Sequence, residues 1–367
     1  MTKLSLVAIL AVSAAFAGGD IAPVEPVIEA PVVEAAACNA NTTISGKAVA
    51  YYYTDDSVDF FDNKSSSLGL AATLDVTHNF TENISANFSA VGFTNAISDN
   101  YMDAQKSGAY FNVANITATF ADTTAVLGRQ LINSPMFGGY DWLLAPAAFE
   151  AYTLVNNSIS NVTLVGTYVT KMRGNNSGSD FAKLSDDNYA LGAVYGADAL
   201  SASVWYYNID DADYTQVYVD AGYNFGMFNV AAQYVATDYD LGQDSDAYGI
   251  KVGATLAGFD LTAAYNDASD RAAAFVSNNG LYTAQWNSAA SLDDIGSSWK
   301  VAAATEFAGV SAEVSYADYD VAGEEFDVIL GYGVTKCISL DAIYANTKYT
   351  ETEDATQQLE FVATYKF

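Results

Sequence analysis

The chain is poor in the side chains on which most enzymes and nucleic-acid binders depend. Its 367 residues hold three arginines (Arg129, Arg173 and Arg271), one histidine (His78), two cysteines (Cys38 and Cys337) and five prolines. Lysine and arginine together number 14 against 44 aspartates and glutamates, a formal charge of −30. That balance excludes nucleic-acid binding, which needs a basic footprint on one face. One histidine and two distant cysteines without a CxxC spacing exclude a zinc centre of the Cys/His type. Catalysis is discounted on the same ground, since a base must sit within reach of a nucleophile. His78 falls at the end of an apolar strand beside a short turn, away from the long loops. Beyond residue 17 no apolar run is long enough for a transmembrane helix, although 51% of the residues are hydrophobic.

The apolar residues are instead dispersed in alternation. Tyrosine (26) and phenylalanine (19) are abundant, and three of the five prolines precede residue 32. Aromatic-rich, proline-poor chains of period two form antiparallel sheet. The first residues read differently. Lys3 followed by apolar Leu4–Phe16 and the Ala15-Phe16-Ala17 site predicts a secretory signal over 1–17. Residues 18–41 form a Pro/Glu/Ala/Val tract without amphipathic period, an extended periplasmic leader.

From residue 42 to 367 the alternation predicts one domain of 16 to 18 strands, 18 favoured. Candidate outward sets include Ile44/Gly46/Ala48/Ala50/Tyr52, Leu68/Leu70/Ala72/Leu74/Val76 and Phe259/Leu261/Ala263/Tyr265. Strand 5, at 124–132, has ambiguous facing, and strand 6 is placed at 149–156. The intervening inward positions are polar: Lys47, Thr73, Asp75, Asn87, Lys251, Lys300, Glu313 and Asp327. Outward sets repeatedly end on Tyr, Phe or Trp, the signature of two interfacial girdles. Connections alternate between short (Ala197–Ala199, Phe225–Met227, Ala257–Gly258, Ala308–Gly309) and long (55–66, 95–109, 133–148, 171–187, 267–297). The fold class this predicts is all-β, a transmembrane antiparallel up-and-down barrel with tight periplasmic turns and longer outer loops. An even strand count places both ends of the barrel in the periplasm. A barrel of this size encloses an aqueous channel.

The final strand, Leu359/Phe361/Ala363/Tyr365/Phe367, ends on an aromatic residue. It looks like the closing strand of a bacterial outer-membrane barrel, and Phe367 resembles the signal read by the barrel assembly machinery. The membrane partners expected are outer-membrane lipid and lipopolysaccharide. An adhesive or structural surface protein is the rival reading, and it predicts longer, repeat-bearing outer loops than the 267–297 segment.

Cys38 and Cys337 both map to the periplasmic rim. In an oxidising compartment they either form a Cys38–Cys337 bridge or remain two thiols. The acidic stretches Asp210-Asp211-Ala212-Asp213 and Asp238 to Asp246 offer oxygen ligands for Ca²⁺ but lack EF-hand spacing, so solvated loops are the simpler reading. No other cofactor is expected.

Residues 127–178 carry Gly128-Arg129-Gln130, Pro135, Leu143-Leu144-Ala145-Pro146 and Tyr168-Val169-Thr170-Lys171. This stretch resembles the porin D family of pseudomonad-type outer-membrane channels, and the acidic, Tyr-rich character also resembles the major outer-membrane proteins of campylobacter-like bacteria. The resemblance implies an 18-stranded, trimeric porin for passive diffusion of small hydrophilic solutes, with residues 133–148 as an inward-folded constriction loop. It implies Arg129, Lys171 and Arg173 near the eyelet, with Asp141 and Glu150 opposite; the alternative is that Arg129 and Asp141 pair structurally to hold the loop. With three arginines in total, the ladder that draws carboxylates into relatives is missing, and the acidic balance favours cations.

Overall fold

The computed structural model describes residues 41–97, 107–139, 144–269, 271, 273–287, 296–320, 323–350 and 353–367. The segment expected to be a signal (1–17), the expected leader up to residue 40, Cys38 and Asp141 lie outside the described residues.

Eighteen strands follow in chain order. The first six are β1 (Thr42–Asp55), β2 (Ser66–Asn79), β3 (Ile84–Asn95), β4 (Ser107–Phe120), β5 (Thr123–Gln130) and β6 (Ala148–Ile159). Then come β7 (Val162–Arg173), β8 (Ala182–Ala197), β9 (Leu200–Ile209), β10 (Tyr214–Asn224), β11 (Phe228–Tyr239) and β12 (Ser245–Leu256). The last are β13 (Phe259–Ala268), β14 (Gly296–Phe307), β15 (Val310–Tyr319), β16 (Gly323–Gly333), β17 (Ile338–Lys348) and β18 (Thr356–Lys366). Each pairs antiparallel with the next, and β1 pairs with β18 from Lys47↔Lys366 to Asp55↔Gln358, so the sheet closes on itself.

Period two decides which side each residue takes. Leu70, Leu74, Leu127, Leu154, Leu191 and Leu261 stay exposed on the outer surface, while Val49, Ala71, Val126, Ala151, Ala190 and Ala264 turn inward and are buried. An apolar surface left open all the way round is stable only against lipid. Towards the long-loop rim the outer face carries Tyr152, Tyr168, Tyr234, Tyr248, Tyr265 and Trp299. Towards the short-turn rim it carries Phe120, Phe225, Phe259, Phe307 and Tyr332. Two aromatic belts result.

The short turns have the backbone that tight hairpins need. Ala257 and Gly258 sit at φ +54° and +84°, and Ala308 and Gly309 at +54° and +80°. Positive φ at both central residues matches the right-handed strand twist.

Closure depends on one small residue. Phe367 and Gly46 exchange backbone hydrogen bonds of 3.0 and 2.9 Å. The Phe367 ring then lies over Gly46, where an added Cβ would stand 2.6 Å from the ring and 2.3 Å from the Thr73 carbonyl oxygen. Gly46→Val is therefore expected to destabilise the closing seam by about 1–3 kcal/mol through overpacking. The check is the fraction of detergent-refolded protein that keeps its fast, heat-sensitive gel mobility; equal fractions for variant and wild type would show that the seam tolerates a side chain. Cys337 lies in the turn before β17, and its carbonyl accepts from the Lys366 N–H at 2.8 Å, next to this seam.

β5 departs from expectation. It stops at Gln130 instead of reaching 132, because Ile132 leaves the wall to join an interior apolar cluster with Met136, Phe137 and Phe149. β6 is longer than expected, Ala148–Ile159. The facing of β5 resolves to Leu127 outward and Val126 inward.

Candidate functional site: a lumen narrowed by two joined loops

The inward face mixes charged and amide side chains with apolar ones, and loops folded inside the barrel cover a large part of it. The first is the segment between β5 and β6, the loop expected to fold inward. Leu144, Ala145 and Ala147 are fully buried, and Met136 and Phe137 nearly so. The Phe137 ring lies 4.8 Å from Phe149 on β6. Leu144 and Ala145 join a separate cluster with Val49, Tyr51, Val91, Phe93, Ile329, Ile343 and Val362, on β1, β3 and β16–β18.

The second inward loop lies between β13 and β14 and was not anticipated from the sequence. Its residues 273–287 run along the inner wall, held by side chains from several strands. On β11, Gln233 donates to the Gly280 carbonyl (3.1 Å) and accepts from the Tyr282 N–H (3.0 Å). Asn266 of β13 accepts from the Thr283 N–H at 3.0 Å. Lys300 of β14 donates to the Ala284 carbonyl at 2.8 Å, and Tyr319 of β15 to the Thr283 carbonyl at 2.7 Å. The far end is held by carboxylates. Asp327 accepts from the Trp286 N–H (3.1 Å), Glu360 from the Trp286 indole (2.7 Å) and Glu325 from the Asn287 N–H (2.6 Å). A loop can be buried only when its backbone groups find partners, and here the wall supplies them.

The two loops are joined. Phe137 and Val276 form a parallel bridge, with the Gly138 N–H on the Val276 carbonyl (3.0 Å) and the Val276 N–H on the Met136 carbonyl (2.9 Å). Asn278 Nδ2 donates to the Ser134 carbonyl at 2.7 Å. Tyr207 on β9 donates its hydroxyl to Ser134 Oγ at 3.1 Å and ties the joint to the wall. One sign of this was present in the chain: residues 272–287, AAAFVSNNGLYTAQWN, carry no charge, and the other inward loop, 133–148, carries only Asp141, whereas loops such as 55–66 and 171–187 hold several aspartates. A charge-free stretch with Phe275, Leu281, Tyr282 and Trp286 is suited to a packed interior.

Of the residues expected at the eyelet, Arg129, Glu150 and Lys171 stand together on the outer face of the wall. Glu150 shares a face of β6 with Tyr152 and Leu154, which are 57% and 56% exposed on the outer surface. Its register partners are Arg129 on β5 and Lys171 on β7. Lys171 Nζ stands 2.9 Å and Arg129 Nε 3.7 Å from the Glu150 carboxylate, and Arg129 also reaches Asp180 at 3.8 Å. Arg129 stacks on Phe181 at 4.2 Å and donates to the Phe111 carbonyl at 3.1 Å. That carbonyl belongs to the part of β4 beyond the end of β5, so the guanidinium satisfies an edge group the short strand leaves open. Arg129, Glu150 and Lys171 thus form an ion cluster on the outer wall. Asp141 lies outside the described residues.

Arg173 is 1% exposed and closes the gap where the first loop leaves the wall. Its Nε and Nη2 donate to Asn112 Oδ1 (3.1 and 2.8 Å), Nη2 also to the Pro146 carbonyl (3.1 Å), and Nη1 to the Ser177 carbonyl. The guanidinium stacks on Tyr110 at 3.8 Å. Pro146 ends the inward loop, so Arg173 anchors the exit of that loop.

Other charges do face the lumen. Lys251 and Lys300 flank Ala264 in one register row of β12, β13 and β14. The Tyr282 ring covers Lys251 at 4.5 Å. Ser203 donates to the Asp220 carboxylate nearby. His78 accepts or donates with Thr42 Oγ1 at 2.8 Å at the short-turn rim. Among the described residues no group of three or more His, Cys, Asp or Glu side chains is placed to hold a metal ion.

The chain superposes on OpdK from Pseudomonas aeruginosa, solved with vanillate, with a TM-score of 0.76 over 90% of this chain and 99% of that one, at 15% identity. This barrel has the fold of OpdK. OccAB2 from Acinetobacter baumannii gives a TM-score of 0.74 at 16% identity, covering 90% of this chain and 98% of that one. OccK2 (OpdF) from Pseudomonas aeruginosa, solved in complex with glucuronate, gives 0.74 at 14%, with the same coverage. These identities establish a shared fold. No protein-family model and no curated protein matches the chain.

Proposed function

We propose that the protein is an outer-membrane porin through which small hydrophilic solutes and ions diffuse passively, with a preference for cations. The observation that carries this is a closed barrel with an apolar outer surface, whose inner face holds charged and amide side chains and two joined loops folded against it. A closed barrel of 18 strands is too wide to be filled by its own wall side chains. The long-loop rim then faces outside the cell and the short turns the periplasm. The shared fold with proteins whose structures contain vanillate and glucuronate supports a small-molecule conduit.

The charge of the lumen supports the cation preference. Glu325, Asp327 and Glu360 are engaged by the second loop, as is Lys300. By strand parity the remaining lumen carboxylates include Asp75, Asp220, Asp260, Glu306, Glu313 and Asp341, facing the ammonium groups of Lys47, Lys251 and Lys366. Excess carboxylate concentrates cations in a low-dielectric passage and repels anions. Reversal potentials across a tenfold KCl gradient are expected to have the cation-selective sign, and Glu313→Gln with Asp341→Asn to move them towards zero. An anion-selective wild type would remove the charge argument. Swelling of proteoliposomes in isotonic arabinose tests the conduit itself, and vesicles that swell no faster than protein-free ones would count against it.

A further inference from the structure

We propose that the inner wall of β2–β4 is a binding station for a hydroxylated monocation, a solute whose ammonium group adjoins hydroxyls, as in a 2-amino sugar. This rests on the porin reading above, for which it names a substrate class. Asp75 on β2 carries the charge. Its register partners are Ser45 on β1 and Ser89 on β3, and it faces inward, next to the outward Leu74. The carboxylate is half-buried and makes no hydrogen bond or ion pair among the described residues. Lys47 stands one pleat along β1, opposite Thr73, and does not pair with Asp75. Several other inward carboxylates are taken: Asp220 by Ser203, Asp260 by Thr255, and Asp327 and Glu360 by Trp286. A carboxylate stripped of part of its water, with no protein donor, favours a cationic solute as its partner.

The neighbouring groups decide what else the cation must carry. One pleat nearer the short turns, Thr77 donates its hydroxyl to Asn87 Oδ1 at 3.1 Å. Asn87 Nδ2 donates to Asn115 Oδ1 (2.9 Å) and Thr117 Oγ1 (3.1 Å), and Asn115 Nδ2 to the Arg129 carbonyl (2.8 Å). This chain of bonds uses the hydroxyl hydrogen of Thr77 and both amide hydrogens of Asn87. What remains at the two side chains is acceptor capacity: lone pairs on Thr77 Oγ1 and a second one on Asn87 Oδ1. Spare acceptors beside an unpartnered carboxylate complement a solute rich in donors, with its ammonium on Asp75 and its adjacent hydroxyls on Thr77 and Asn87. Strands β3 and β4 contain no charged residue, so no ion competes for the hydroxyl side of the station. Asp75 repels an anionic sugar. An alkylammonium without hydroxyls leaves the acceptors of Thr77 and Asn87 unused.

The test is saturation-transfer NMR of the full folded protein in detergent, titrated with glucosamine, glucose and cyclohexylamine in mildly acidic buffer, where both amines are protonated. Glucose keeps the hydroxyls without the charge, and cyclohexylamine the charge without the hydroxyls. Wild type is expected to bind glucosamine about tenfold more tightly than glucose and about threefold more tightly than cyclohexylamine. Asp75→Asn, which keeps the shape, should weaken glucosamine about tenfold. Thr77→Val, also matched in shape, should weaken glucosamine about threefold and leave cyclohexylamine no weaker. Absence of saturable glucosamine binding overturns the proposal. So does wild-type affinity of Asp75→Asn for glucosamine, or equal wild-type affinity for glucosamine and either control. Single-channel conductance is recorded in parallel. A barrel that binds in the expected order but does not conduct sinks the porin reading alone. A conducting barrel that does not discriminate among the three solutes sinks this inference alone.

Discussion

Excising residues 273–287 and bridging the gap with a short Gly-Ser linker is expected to raise single-channel conductance on the order of threefold, since current follows the open cross-section of the narrowest zone. The segment lies inside the barrel along the walls of β11 and β13–β18, and its removal also takes from the first loop the support it gives at Met136, Gly138 and Ser134. The barrel itself should persist, because the β13–β14 ladder from Phe259↔Thr305 to Ala268↔Gly296 does not depend on the loop. Conductance traces should also become noisier as the first loop loses its partner. Unchanged conductance from a folded deletion variant would mean that solutes pass where neither loop stands. The deletion exposes Glu325, Asp327 and Glu360 to the lumen, so the cation preference should strengthen at the same time.

The second large effect is expected from Arg173. Arg173→Met keeps the apolar stem but removes donors to Asn112, Pro146 and Ser177. Hydrogen bonds from a charged group are each worth about 1.5–3 kcal/mol net, so a loss on the order of 3 kcal/mol is expected even with partial compensation by water. The loss is local. It falls on the gap where β4 and β6 flank the departing first loop, and the symptom should be flickering conductance together with a lower unfolding temperature in detergent. Arg173→Lys should rescue little, because one ammonium group cannot reproduce the forked geometry. A variant with wild-type stability and quiet channels would show that the loop exit is held by other contacts. Arg129→Met, by contrast, should alter stability without changing ion selectivity, since its guanidinium lies on the outer wall.

How much of this was legible in the sequence differs between wall and lumen. Except at β5, the wall was readable strand by strand, because lipid requires an apolar residue at every second position of each strand. Leu68 to Val76, or Phe259 to Tyr265, cannot be written any other way. The inner face carries no such constraint. Asp327 and Glu360 look alike in sequence whether they meet water or the Trp286 backbone and indole, and nothing local links Trp286 to a residue 74 positions away. The missed signal was the charge-free composition of 272–287. The facing of Arg129 and Glu150 was within reach of the pattern, since alternation from Leu127 and Tyr152 already places both outward. Arg173 was not, because the register shift between Val169 and Lys171 breaks the count on β7.

Conduction through the barrel is tested most directly by single-channel recording from the purified protein in planar bilayers under a KCl gradient, with folding verified by heat-sensitive gel mobility. A cation-preferring porin gives discrete, stable conductance steps and a cation-selective reversal potential. A verified folded barrel that inserts without conducting would contradict the porin reading.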